Sequence, residues 1–429
     1  MNTIDELKVF KQLESDVRSY SRSFPTKFQK ASGYRLWNSE GKSYIDFFAG
    51  AGALNYGHNH PTMKAKLIEY LVNDGITHSL DMATEAKEHF LTKFHDVILK
   101  PRNMDYKIMF PGPTGTNAVE SALKLVRKAT GRQTVMSFTN AFHGMTLGSL
   151  AVTGNKFKRS GAGVPLHHAI SMPFDGYMGK DVNTLEFIEN FLKYSGSGIS
   201  LPAAVIVETL QGEGGINVAS TAWLNGLGKL CKRYNMLLIV DDVQMGCGRT
   251  GSFFSFERSD LKPDIICMSK SIGGYGLPMA LTLIKPELDL LGPGEHNGTF
   301  RGNNAAFITA TEALNYWENN SFTEEIEKKS VIVHQALEEI VHRFPELEGE
   351  RRGIGLMQGI AFPPGIAEQI SMLAFEQGLI METSGTDSEV IKLMPPLTID
   401  EQGLMLGLQL LNQCINEIAA KQKAPIAHV

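Results

Sequence analysis

The chain has 429 residues, 43% hydrophobic and 20% charged, the balance of an ordinary soluble globular protein and too long for a single hydrophobic core. Its net charge is only −5 with no long run of one sign, which argues against a nucleic-acid surface. No apolar stretch approaches the ~20 residues that span a bilayer, so no membrane partner is expected.

Residues 1–22 are charged and helix-like and lack the apolar core of a signal peptide. Cys231, Cys247, Cys267 and Cys414 have no zinc-type spacing and read as reduced thiols. Together these predict a cytoplasmic location. Residues 1–30 read as a polar amphipathic segment lying over the rest of the fold or over a partner. Residues 34–48 alternate polar and apolar around a turn at 39–41, the pattern of a short hairpin.

From about residue 61 to 320 strand and helix patterns alternate. Apolar, β-branched runs occupy 133–138, 203–209, 236–242 and 264–270. Just before the first of them, 116–129 places Ala118, Val119, Ala122, Leu123, Val126 and Ala129 on one helical face. Strands this apolar, separated by helices, predict an α/β fold around a mostly parallel sheet buried on both faces. After Thr323 long charged helices alternate with a few short strands. The expected organisation is therefore a large domain at 61–320 and a smaller α+β domain at 321–429, with residues 1–60 contributing to the smaller one.

Five places carry chemistry. In 237–244 an apolar strand runs straight into Asp241 and Asp242, then Val243 and Gln244; ligands of open α/β sheets bind outside such strand ends. By itself the doublet would also serve as a cap beside a solvated charge. In 264–274 another apolar strand delivers Lys270 into a glycine-rich turn. An amine there is partly desolvated and so more readily neutral and nucleophilic, although a lysine ending a strand is often only a solvated charge. Its position one strand after Asp241 favours the chemical reading. Residues 113–117, with Gly115 and Thr116, open the 116–129 helix, whose N-terminus offers a phosphate site or an ordinary cap. Phe142, in Phe142-His143-Gly144, offers an aromatic face, and the polar loop at 297–303 offers the hydroxyl of Thr299.

In this order the pieces resemble the class III aminotransferases, the ornithine and 4-aminobutyrate aminotransferase family, from about Gly33 to Leu397. The opening 41–47 and the Gly57-His58-Asn59-His60-Pro61 turn share in the resemblance. It implies the pyridoxal-5′-phosphate (PLP) transferase fold type I. It also implies that Lys270 carries the cofactor as a Schiff base and shuttles the proton, with Asp241 paired to the pyridine nitrogen. Gln244 then meets the ring hydroxyl, Val243 and Phe142 cover the two ring faces, and Gly115 and Thr116 hold the phosphate. Thr299 reaches the phosphate from a neighbouring subunit, which makes a homodimer or a larger assembly the working unit. Glu213, in Gln211-Gly212-Glu213-Gly214-Gly215, stands at the family's gating glutamate.

Three positions depart from the family pattern. Asp242 stands where glutamate is usual, and Met145 where several members use arginine for a distal carboxylate. Lys392 replaces the arginine that pairs with the gating glutamate and binds the α-carboxylate; an ammonium lacks the bidentate fork. Within the family, residues 47–58, 110–117, 241–251 and 274–280 most resemble the branch that aminates an amino-acid semialdehyde for ectoine synthesis. That branch converts L-glutamate and L-aspartate 4-semialdehyde to L-2,4-diaminobutyrate and 2-oxoglutarate. An ornithine- or 4-aminobutyrate-type transaminase, and an aminomutase or decarboxylase on the same fold, are the alternatives.

Overall fold

The computed structural model describes residues 6–423. A seven-stranded sheet lies at its centre, in the spatial order Lys107–Met109, Leu281–Ile284, Ile265–Met268, Leu237–Asp241, Ala204–Val207, Val135–Phe138, Ala169–Met172. Only Leu281–Ile284 runs antiparallel to its neighbours. The class read from the sequence, α/β with a mostly parallel sheet, is the class observed.

Period-two alternation explains why the sheet is covered on both sides. Val205, Val207, Leu238, Val240, Ile266 and Met268 enter one apolar cluster, while Ala204, Ile206, Ile239, Ile265 and Cys267 enter another. The helix Gly115–Thr130 packs Ala118, Val119, Ala122 and Leu123 into the second cluster, and Thr221–Arg233 packs Trp223, Leu224 and Leu227 into the first. Each fully buried Val, Leu or Ile contributes about 1.5–3 kcal/mol relative to exposure. The Gly115–Thr130 helix starts with a capping box between Thr114 and Asn117 and stops at Gly131, whose φ of +67° suits glycine.

The observed strands lie inside the expected apolar runs but are shorter. The 203–209 run yields only Ala204–Val207, and 264–270 only Ile265–Met268. Their polar ends, Glu208 and Thr209 in one case and Ser269 and Lys270 in the other, turn out of the ladder at its carboxyl edge.

The expected hairpin forms from Arg35–Asn38 and Ser43–Asp46, with Phe28–Ser32 added on its far side. The segment expected to be amphipathic carries short helices at Lys8–Leu13 and Tyr20–Ser23, with residues 1–5 outside the described part. A late strand, Leu379–Ile380, pairs in parallel with Ser43–Asp46. Beyond the helix Ser321–Arg343, a four-stranded antiparallel sheet forms in the order Glu350–Ile354, Met357–Ala361, Val390–Leu393, Glu382–Ser384, and the helix Glu401–Lys423 follows. All four cysteines are buried and unpaired with one another, and no helix among the described residues is long and apolar enough to cross a membrane.

Candidate active site

Strands that pair in parallel present their carboxyl ends along one edge. Asp241 ends the middle strand of the seven, directly opposite Cys267 on the next strand. Three residues after Cys267, Lys270 starts a single 3-10 turn, Lys270–Gly273, with φ at +53°. A left-handed conformation at a side-chain-bearing residue costs of order 1–3 kcal/mol and persists only where its surroundings impose it. Here it turns the lysine back across the strand ends. One cavity results, lined by Gly115, Thr116, Phe142, His143, Gly144, Glu208, Glu213, Asp241, Val243, Gln244, Met245 and Lys270.

Most polar groups in the cavity have an identifiable partner. Lys270 Nζ donates to the carbonyl of Ala51 at 2.9 Å, and burial pushes its ammonium below its ordinary pKa against the opposing charge of Glu213. Ala51 lies in a run of left-handed residues, Ala49 to Gly52, and the preceding Asp46 carboxylate accepts from the Phe48 and Ala49 amides at 2.8 Å each. Gln244 Nε2 donates to the same Ala51 carbonyl at 3.1 Å and to Glu213 at 3.0 Å.

Asp241 meets His143 Nδ1 at 2.7 Å, both side chains being buried. Burial pulls the imidazole pKa down, but the hydrogen bond and charge of Asp241 outweigh it, and the net shift is upward. The other Asp241 oxygen accepts from the Val243 amide at 3.1 Å. Glu208 accepts from the Phe142 amide at 3.0 Å; burial raises its carboxyl to about 7, with His143 opposing.

Glu213 and Lys392 meet at 2.7 Å, and Lys392 also lies 2.8 Å from Glu382. Burial works against charge on both partners. Even so, Lys392 and Lys270 hold the Glu213 carboxyl well below its usual range, and the two carboxylates hold the Lys392 ammonium above its own.

Most of the site residues expected from the sequence therefore meet in one place: Gly115, Thr116, Phe142, Glu213, Asp241, Val243, Gln244 and Lys270 all line the cavity. Two do not. Lys392 is fully buried behind Glu213, and Thr299 lies on an exposed turn where its carbonyl meets His78 at 2.9 Å. Met145 is exposed and outside the lining. Sequence reasoning missed His143, Glu208 as a cavity residue, and Glu382. The nearest signal for His143 was its place between Phe142 and Gly144.

The polar groups of the cavity also fit a phosphorylated pyridine. A Cβ on Gly115 would stand 2.8 Å from Val243 Cγ1, so glycine is required where the helix start meets the wall. Buried Gln244 Oε1 and His143 Nε2 have no hydrogen-bond partner, leaving an acceptor and a second ring nitrogen for a polar ligand. The Gly115–Thr130 N-terminus offers amides, and the Thr116 hydroxyl lies 2.7 Å from that of Thr146 and 2.8 Å from that of Ser149.

Residues 17–415 match the family profile of the class-III aminotransferases, and the chain belongs to that family. Pyridoxal 5′-phosphate is the cofactor of the class, and the residues present fit it. Over 414 residues the chain is 61% identical to the diaminobutyrate–2-oxoglutarate transaminase of Halalkalibacterium halodurans, covering 96% of this chain and 97% of that one. The enzyme of the same name from Streptomyces avermitilis is 57% identical over 97% of this chain and 99% of its own length. Among solved structures, a Bacillus anthracis aminotransferase superposes with a TM-score of 0.84 at 25% identity, covering 96% and 97% of the two chains.

Asp242, beside the cavity, generates a prediction about pH. It is buried, accepts from the Ser255 amide at 3.1 Å, and burial raises its carboxyl to about 7 from an ordinary 3.8. A raised carboxyl pKa means that its contribution to stability is complete below pH 3.8 and is lost as pH rises through about 7. An amide keeps the acceptor and cannot ionise. Thermal melts from pH 5 to pH 8 should therefore show a smaller loss of Tm in Asp242→Asn than in the parent; parallel losses would contradict the assignment.

Proposed function

We propose that this enzyme transfers the amino group of L-glutamate to L-aspartate 4-semialdehyde, giving L-2,4-diaminobutyrate and 2-oxoglutarate. The observation that carries the reaction type is the buried Lys270, pressed towards its neutral amine in the same cavity as the His143–Asp241 pair. The substrate pair is supported by the 61% identity to a relative named for that reaction. Work in the cytoplasm, as a step towards ectoine in osmoadaptation, belongs to the same proposal. So does a division into a large unit at 61–320 and a smaller one built from 321–429 with residues 1–60.

Pyridoxal phosphate, when bound, supplies an electron sink for the carbanion at the substrate carbon. Gly115 and Thr116 would hold its phosphate, Asp241 its pyridine nitrogen, Gln244 its ring hydroxyl, and Val243 and Phe142 its faces. Lys270 acts as the acid–base group: its buried Nζ takes the proton from the α-carbon of the donor in the first half-reaction and gives one to the carbon of the acceptor that gains the amine in the second. His143 donates to Asp241 and keeps that carboxylate oriented. Glu213 pairs with Lys392 when no substrate carboxylate needs binding and leaves it when glutamate arrives. Oxoacid departs before the acceptor enters, so the order is ping-pong.

Replacing Lys270 by Ala should lower 2-oxoglutarate formation at least ~100-fold, the lower end of what a positioned base contributes. Near-parental turnover in a coupled assay would remove Lys270 from the centre of the mechanism.

Acceptor choice tests the substrate reading. With glutamate as donor, aspartate 4-semialdehyde should be preferred over pyruvate and glutamate 5-semialdehyde by at least ~10-fold in kcat/KM, with the new amine on C4. Products resolved by mass spectrometry decide it: efficient amination of glutamate 5-semialdehyde with no 2,4-diaminobutyrate would point to an ornithine-type enzyme instead.

The exposed position of Thr299, away from its own chain's cavity, supports a homodimer or larger assembly that supplies this hydroxyl in trans. Thr299→Ala should then retain cofactor less well on dialysis, and dilution of the parent to monomers should have the same effect. A monomer fully active in sedimentation experiments would overturn the shared site.

A further inference from the structure

Lys392 lies between two carboxylates of different standing. Glu382 and Lys392 are directly opposite each other on paired antiparallel strands, Glu382–Ser384 and Val390–Leu393, and both side chains are buried. Glu213 sits instead in the turn between Leu210–Gln211 and Asn217–Val218, faces the cavity, and keeps about a fifth of its side chain exposed. One partner is built into a sheet; the other is on a loop.

The other contacts reinforce this asymmetry. The second oxygen of Glu382 accepts from the Tyr20 hydroxyl at 3.3 Å, and the Tyr20 ring rests on Phe48 at 5.0 Å between centroids. Glu382 is thus held from the strand behind it and from the Tyr20–Ser23 helix in front. Glu213 receives Lys392 and Gln244 on a single oxygen, Oε1.

A buried ammonium stripped of its only counter-charge is strongly disfavoured. If Glu213 were the sole partner of Lys392, every release of Glu213 would leave such a charge, free to swing on a four-carbon stem. A lysine ammonium has three separately directed donors and can keep one carboxylate while exchanging another, whereas a guanidinium fork favours one carboxylate gripped at two points.

We propose that Glu382 is a positioning residue: it pins the Lys392 ammonium while Glu213 and the substrate carboxylate exchange, and so sets the affinity for glutamate. Lys392 is then the fixed half of the gate and Glu213 the moving half. The departure from arginine at 392 and the carboxylate at 382 form a matched pair. This inference rests on the transaminase reading above and adds to it the residue that holds the carboxylate receptor in place.

Two amino donors offered to the same pyridoxal form of the holoenzyme separate the possibilities. Glutamate must open the gate to place its α-carboxylate, whereas L-2,4-diaminobutyrate reacting through its C4 amine leaves Glu213 on Lys392. In stopped-flow half-reactions Glu382→Ala should raise the half-saturating glutamate concentration about tenfold, with the limiting rate within about twofold; tenfold is the scale of one misplaced contact. The values for diaminobutyrate and the cofactor affinity should stay at those of the parent. Glu382→Gln, which keeps the shape but removes the counter-charge, should leave most of the loss in place.

Should the alanine variant fail to fold, Glu382→Asp shortens the reach by one carbon and should give a smaller rise for glutamate alone. An unchanged glutamate response, an equal loss for both donors, or full recovery in Glu382→Gln would each overturn the role of Glu382. Lys392→Ala is the control. If it leaves the glutamate response unchanged, the gate reading itself fails; if it weakens glutamate while Glu382→Ala does not, only the pinning role fails.

Discussion

The site depends on the parallel pairing of Leu237–Asp241 with both of its neighbours. Ile239, Val240 and Asp241 lie opposite Ile265, Ile266 and Cys267 on one side, and Leu237 to Val240 lie opposite Ala204 to Val207 on the other. Because side chains alternate faces, a slip of one residue would send Ile239 and Val240 to each other's apolar cluster and turn Asp241 away from His143. Burial of every residue from Leu238 to Asp241 makes such a slip costly. Core packing and placement of the carboxylate are therefore one constraint, and the strand cannot satisfy the first without delivering the second.

Once the carboxyl ends are aligned, electrostatics organises what lies beyond them. Lys270, Gln244, Glu213, Lys392, Glu382 and Tyr20 form a connected polar chain, with the Ala51 carbonyl shared between Lys270 and Gln244. Charges this deeply placed persist only when they answer one another, and each member draws its protonation from its neighbours. Lys270 is pushed towards neutrality and Lys392 away from it. The difference is one of partners: Lys392 touches two carboxylates, whereas Lys270 Nζ rests on a carbonyl.

What was legible in the sequence was whatever lies close together along it. Apolar runs announced the buried strands, and Asp241 and Lys270 stood out because each lies at the carboxyl end of an apolar run. Where a ladder stops was not legible, since hydrophobicity does not register the turn taken by Glu208 or the left-handed backbone of Lys270. The His143–Asp241 contact joins residues 98 positions apart, and nothing local marks it. Glu382 was invisible for the same reason: its meaning comes from the strand register that sets it against Lys392. Gln244, Val243 and Glu213 were expected from family resemblance rather than from any pattern in composition or spacing, and the cavity brings all three together with Lys270.

The pairing of Leu379–Ile380 with Ser43–Asp46 has a consequence for the newborn chain. Asp46, at the end of that early strand, accepts the amides that shape the loop ending at Ala51, on whose carbonyl Lys270 rests. Its strand partner is synthesised some ~330 residues later, which at ~5–20 residues per second is an interval of roughly 17 to 66 seconds. Throughout that interval this edge of the hairpin lacks its native strand partner. The strand that leads into the support of Lys270 is thus made long before its last partner.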